Sequence, residues 1–206
     1  MLKHAIIAAL LISGGAALAR KPAPTDWRAV ATAGDTKRLH DWRDAFVQAL
    51  GEARTAGKQA ELAREGMLVS PDVALARPLP PPGKYRCRTI KLGNGSTETG
   101  SGSGLGFVAY PAFDCQVAVE NDVSSLSKTS GSQRFVGLLF HGGDRHETFL
   151  GTAMLGDEIR SLQYGRDPDR DMVGAVERIG PQRWRLILPY PRFESTLDIV
   201  ELVPAS

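Results

Sequence analysis

Cysteine is scarce in this chain: Cys87 and Cys115 are the only two. They do not form a Cys-x-x-Cys motif, so the spacing offers no redox-active pair. Charge of one sign is missing as well, with 25 Lys and Arg against 23 Asp and Glu. No basic stripe carries interleaved aromatics, which excludes the usual footprint of a nucleic-acid-binding face. Beyond the N-terminus there is no second long apolar run, so nothing after it is expected to span a membrane. Short catalytic signatures are missing too. There is no Gly-x-Ser-x-Gly elbow, and no reduced cysteine is expected beside a histidine. The paired carboxylates of a glycosidase cannot be picked out by spacing alone.

What is present begins with MLKHAIIAALLISGGAALAR. Lys3 supplies a positive start, residues 5–18 are mostly apolar, and Ala17-Leu18-Ala19 is a small-x-small cleavage pattern. Residues 1–19 therefore read as a secretory signal peptide. The run is shorter than the roughly 20 apolar residues a membrane span needs. No cysteine follows it, so no lipid anchor is expected. A soluble mature chain of about 185 residues starting near Arg20 remains, the size of one domain, in the periplasm or secreted. Without Lys3 the net charge falls from +2 towards zero. The hydrophobic share of 42% is ordinary and permits a real core. In an oxidising compartment Cys87 and Cys115 are expected to pair. Such a bridge closes a loop of about 30 residues and constrains the unfolded chain by roughly 3–4 kcal/mol. Two buried free thiols are the alternative.

The mature chain changes character once. Residues 20–76 read as a helical segment, with Asp35 able to cap a start. Leu39, Trp42, Phe46, Ala49, Leu50 and Ala53 recur at three- and four-residue spacing, one apolar face of a 3.6-residue period. Gly57 fits a C-terminal cap, and a shorter helix over 58–65 ends at Gly66. RPLPPPGKY then excludes helix and favours an extended path, so residues 77–84 read as a rigid connector. Residues 85–206 read as β. Phe113, Cys115, Val117 and Val119 alternate with Asp114, Gln116 and Glu120, as Trp184, Leu186 and Leu188 do with Arg183 and Arg185. Further strand-like runs cover 85–92, 135–140, 148–155, 173–179 and 197–203, and Gly180-Pro181-Gln182 makes a turn. Seven or so strands with short turns predict an antiparallel barrel or sandwich. A barrel is preferred because no helices remain to cover a second sheet face. The fold class is thus α+β, with the apolar helix face packed on the barrel and free to close one end. GNGSTETGSGSGLG, residues 93–106, reads as a hairpin loop. A phosphate cradle would need a helix after the glycines.

Four segments are candidate sites. In LFHGGDRHETF, residues 139–149, pairing of the flanking strands sets His141 opposite His146, close enough to share a metal, with Asp144 at the tip as third ligand. Glu147 should point to the other face. Glycine flexibility and the lack of visible supporting groups favour a solvated hairpin end over a metal site. DPDRDMVG places Asp167, Asp169 and Asp171 like a calcium loop, but Met172 and Arg178 stand where Gly and Glu are required. Arg166 and Arg170 suit local ion pairs instead. Ser125-x-x-Lys128 echoes a serine–lysine nucleophile without its helix or its companion motifs. None of these segments calls for a cofactor.

The stretches DWRAVATAGDTKRLHDWRDAF, PPPGKYRCR, KTSGSQR, FLGTAMLGDE and ERIGPQRWRLILPYPRFESTLDIVELVPA carry a further signal. Through them the chain resembles a family of exported alphaproteobacterial proteins described only as a domain of unknown function, over nearly the whole mature length. The resemblance implies export and one compact unit. It supplies no catalytic residue, cofactor or substrate, and the His141/His146 pair is not part of its pattern. The expected role is non-enzymatic binding of a partner protein or cell-envelope component. A small-ligand carrier using the barrel interior and a hydrolase with a site assembled from distant residues are the alternatives. A hollow interior would favour the carrier.

Overall fold

The computed structural model describes residues 26–95, 104–120 and 122–205. The expected signal peptide and the centre of the glycine-rich loop lie outside the described residues. Nine strands follow one another: β1 (Gly83–Gly93), β2 (Gly106–Ala109), β3 (Phe113–Glu120), β4 (Val123–Lys128), β5 (Arg134–His141), β6 (Glu147–Met154), β7 (Asp171–Gly180), β8 (Arg183–Pro189) and β9 (Leu197–Pro204). From β3 to β9 each strand pairs antiparallel with the next, and β9 returns to β1 over residues 85–92, which closes the sheet into a barrel. β2 and β3 lie in line along one edge of β1, against residues 90–93 and 83–87, so together they form one of eight staves. Sequence alone assigns no strand to 123–128, because in VSSLSK only Val123 is of the β-branched and aromatic types that mark strands. Pairing on both sides, to β3 and to β5, recruits it into the ladder.

An eight-stranded barrel is just wide enough for side chains to fill it. Here Tyr85, Val117, Leu126, Phe149, Val176, Trp184, Leu186 and Leu202 form an inner core around the Cys87–Cys115 disulfide. The Tyr85 and Trp184 rings meet edge-on at 6.0 Å, and Phe135 and Phe149 at 5.9 Å, the favoured arrangement for aromatic pairs. Gly137 and Gly151 face each other across β5 and β6. A Cβ at either would lie 2.5 Å from the Phe149 ring, so the close approach of that ring requires glycine at both.

The helices lie on the outside wall. In α1 (Ala33–His40), the Thr32 side chain accepts from the Asp35 amide and is the cap. Asp35, expected as the cap, sits inside the first turn, where its carboxylate takes Arg38 and the Tyr164 hydroxyl. Asp41 separates α1 from α2 (Trp42–Thr55), so the expected stripe divides. Ala45, Phe46, Ala49, Leu50 and Ala53 of α2 pack on Ile90, Leu92, Ile187, Leu197 and Ile199. Leu39 instead joins Trp27 against Phe140, Leu150, Val173 and Ala175. The helix layer explains the strand patterns: β3 alternates buried and exposed, while β8 is buried almost throughout because inward side chains meet the core and outward ones meet helix. α3 (Gln59–Glu65) leads through a 3-10 turn, Gly66–Val69, into the connector.

One buried arginine fastens the layer. Arg185 of β8 is 0% exposed and points outward. It donates to the carbonyls of Leu68 at 2.8 Å and Ser70 at 2.7 Å and to Glu177 at 2.9 and 2.6 Å, with the Phe46 ring 5.0 Å away. A lone buried guanidinium would be costly; a partner carboxylate and aligned carbonyls satisfy it. Among the described residues no helix is long and apolar enough to cross a membrane.

Candidate functional site

The inward positions differ between the two ends of the barrel. The lower end carries the turns after β3, β5 and β7 and the proline connector, whose Pro81 carbonyl accepts from the Tyr85 hydroxyl at 2.6 Å. The HGGDRH hairpin is here. Its register pairs His141 with Glu147, which corrects the expected facing of His141 and His146. The tip is one residue longer than expected, so Glu147 falls on the Phe149 face and is 8% exposed. Burial pushes its carboxyl above the ordinary range, against the charge of His141 and the Gly142 amide. His146 is half-buried, and burial, then the charge of His141, hold it below the ordinary value. The expectation of a fully solvated end is thereby corrected for these two residues, while His141, Asp144 and Arg145 are exposed. Among the described residues no three His, Cys, Asp or Glu side chains are gathered to hold a metal.

The upper end carries the loops after β1, β4, β6 and β8. Here the barrel holds a cavity of about 340 Å³. Phe135, Met172, Leu188 and Val200 give it an apolar floor, and Thr89, Lys91, Lys128 and Asp198 line it above. The charged positions follow from alternation: Lys91 continues the inward series of Cys87 and Thr89, and Asp198 that of Leu202 and Val200. Lys91 lies 3.4 Å from Asp198 and 3.1 Å from Glu194. The Ser195 hydroxyl donates to Asp198 at 2.5 Å. Burial holds Asp198 above the ordinary carboxylate range, against Lys91 and Ser195. Burial pulls Lys91 down, but Asp198 and Glu194 outweigh it and leave it raised.

The loop between β8 and β9 overhangs this cavity. Tyr190 and Glu194 both take left-handed φ, 46° and 73°, a conformation disfavoured for residues other than glycine. Arg38 donates to the Tyr190 carbonyl at 3.2 Å, and Arg192 pairs with Asp169 at 2.5 Å, so neighbours hold the loop in place. Phe193 remains 54% exposed at the rim. Glu52 of α2 accepts from the Thr196 hydroxyl at 2.6 Å and the Asn94 amide at 2.7 Å. It thereby ties the adjacent loop bases to the helix layer, and these hydrogen bonds keep its carboxyl low against burial.

The remaining sequence candidates disperse. Asp167 pairs with Arg170, Asp169 with Arg192, and Asp171 is buried, accepting from the Gly165 amide at 2.9 Å. Ser125 and Lys128, three apart on β4, take opposite faces. Ser125 donates to the Ala118 carbonyl, and Lys128 turns inward over the Phe113 ring at 4.2 Å. Lys91 and Asp198, which sequence reasoning passed over, had a signal: each is a charged residue at an inward position of its strand, and Lys128, considered there only as a partner of Ser125, is a third.

Neither a curated protein nor a solved structure matches the chain. A family model does, over residues 27–202. That span starts at Trp27, the first buried residue of the outer layer, and ends at Leu202 of the inner core, so it takes in the helix layer, the barrel and both of its ends. The chain belongs to the family described as Domain of unknown function (DUF4893).

Proposed function

We propose that this is an exported, non-enzymatic binding protein that takes a small molecule into the upper end of its barrel. One observation carries the reading: the lower half of the barrel is filled by side chains, and the upper half opens into an apolar-floored cavity of about 340 Å³. Ligand sites are concave, mostly apolar and furnished with a few polar groups, in the range of about 300–1,000 Å³. A surface-only binding protein has no need of such a space. Export is supported by the leader-like residues 1–19 and by the Cys87–Cys115 bridge, which suits an oxidising compartment.

Lys91, Glu194, Ser195 and Asp198 invite a hydrolase reading, since convergent titratable groups mark many active sites. Their geometry argues otherwise. Ser195 is 1% exposed and its hydroxyl is committed to Asp198, so it offers no nucleophile to the cavity. Lys91 is held by two carboxylates. The cluster braces the β8–β9 loop.

Titration with the neutral fluorophore Nile red tests the proposal. Saturable binding at one site is expected, and it should vanish in Met172→Trp, which fills the cavity, with circular dichroism unchanged. Failure of the dye to saturate, or equal binding by the variant, overturns the reading.

A further inference from the structure

A second concavity of about 490 Å³ adjoins the cavity, running between β4, β5 and the loop after β6. The two share Lys128, Arg134, Phe135 and Met154 as a common wall. The groove's lining holds three cations, Lys128, Arg134 and Arg160, three hydroxyls, Ser127, Thr129 and Ser161, and no carboxylate. This is unusual for a chain whose charges nearly balance.

Charge pairing around the rim sharpens the point. Arg38 is matched with Asp35, Lys91 with Asp198 and Glu194, Arg170 with Glu158 and Asp167, and Arg192 with Asp169. Among the described residues Lys128, Arg134 and Arg160 have no carboxylate within ion-pair distance. Lys128 has only the Phe113 ring, and it is half-buried. Arg134 donates from one terminal nitrogen to the Glu158 carbonyl at 2.6 Å and, at the long distance of 3.5 Å, to the Gly156 carbonyl, while its Nε is buried with no hydrogen-bond partner among the described residues. Glu158 is the acid whose field reaches Arg134, but its carboxylate is taken by Arg170 and the Leu155 amide. Lys128 and Arg134 are partly buried, and unmatched cations there are poorly solvated, while Arg160 is exposed; an anion supplies the charge-assisted hydrogen bonds the two partly buried ones lack.

We infer that the ligand is an amphipathic anion, its carboxylate or phosphate head held in the groove by Lys128, Arg134 and Arg160 and its apolar part lying on the cavity floor. This rests on the proposed function and names the chemistry of the same site. The apolar and cationic surfaces meet at one wall, so a single molecule can satisfy both. Ile159, 93% exposed on the groove's outer side, gives the ligand's neck an apolar contact that no protein group now makes.

The probes are decanoate, decyl phosphate, decanol and decyltrimethylammonium, each titrated calorimetrically into the purified chain below its micelle concentration. The anions should bind at least tenfold more tightly than the alcohol, and the cation more weakly than the alcohol. Decanoate and decyl phosphate separate a carboxylate head from a phosphate head. Lys128→Met and Arg134→Gln should each weaken the anions about tenfold, the scale of one lost charged hydrogen bond, and leave decanol unchanged. Added salt should weaken the anions alone. Equal binding of decanol and the anions, or equal losses for both in the charge variants, overturns the anion assignment. Nile red binding that persists and is removed by Met172→Trp shows that the cavity reading has survived it. A variant that loses its circular dichroism is replaced by Arg160→Gln on the exposed side of the groove, with the same criteria.

Discussion

The lower and upper halves of the barrel are built from the same strands, yet one is a packed core and the other a container. The Cys87–Cys115 bridge lies between them. Below it, Tyr85, Phe149, Trp184 and Leu186 fill the space with edge-on rings. Above it, the inward positions change to Thr89, Lys91, Lys128, Met172 and Asp198, and the cavity begins. Charged side chains cannot close-pack across a barrel axis without partners, so they stay near the walls and leave the axis open. The contrast teaches that packing and open volume are separated by height: one half carries packing energy, and the other is the half proposed to take a ligand.

The largest effect expected breaks the lower half. Trp184→Ala should destabilise by about 3–5 kcal/mol, measured by urea unfolding. Trp184→Phe should cost much less, because the Trp184 Nε1–H is buried with no hydrogen-bond partner among the described residues and its loss removes an unsatisfied donor. Next is the boundary itself: replacing Cys87 and Cys115 together by Ala should cost about 3–4 kcal/mol, read from the same transition. A third contrast places one bulky ring in each half. Leu186→Trp below the bridge should overpack and cost about 1–3 kcal/mol. Met172→Trp above it should change stability by about 1 kcal/mol or less. Equal costs at the two heights would erase the distinction between core and container.

The smallest effect concerns pH. Glu147 is buried at the lower end, and its folded carboxyl lies above the unfolded value of 4.5. Its stabilising contribution is complete below that value, where the carboxyl is protonated in both states, and is lost as pH rises through the raised folded value. Glu147→Gln should therefore gain stability relative to the parent as pH climbs, with no difference at the acidic limit. A constant offset at all pH values would show that the effect is packing and not ionisation. His146 acts with the opposite sign, since its folded value is depressed: its contribution is full above the ordinary histidine value of 6.5 and is lost as pH falls.

Much of the fold could be read from local chemistry. The strand alternation at Phe113, Cys115 and Val117, the proline connector, the Gly57 and Gly66 helix ends and the cysteine pair all follow from period, backbone restriction or reactivity. Less of the site could. β4 escaped because its residues are weak strand formers held by their neighbours. The LFHGGDRHETF segment reads as a cluster, but a one-residue change of register moved Glu147 to the inner face and took the two histidines out of cross-strand pairing. The groove's cations Lys128, Arg134 and Arg160 lie 6 and then 26 residues apart along the chain, and no short motif joins them.

By itself the sequence determined which faces of its strands and helices are apolar, where the chain must turn, and which two cysteines are there to be joined, because these depend on residues a few positions apart. Only the tertiary structure decided that β9 closes on β1, that the α2 stripe covers the outer wall, and that Lys91, Lys128 and Arg134 gather at one rim. Barrel closure turns alternation into an inside and an outside, and ring closure brings residues from distant strands to the same height. Which side chains meet across that axis depends on register and shear, quantities that local spacing does not contain.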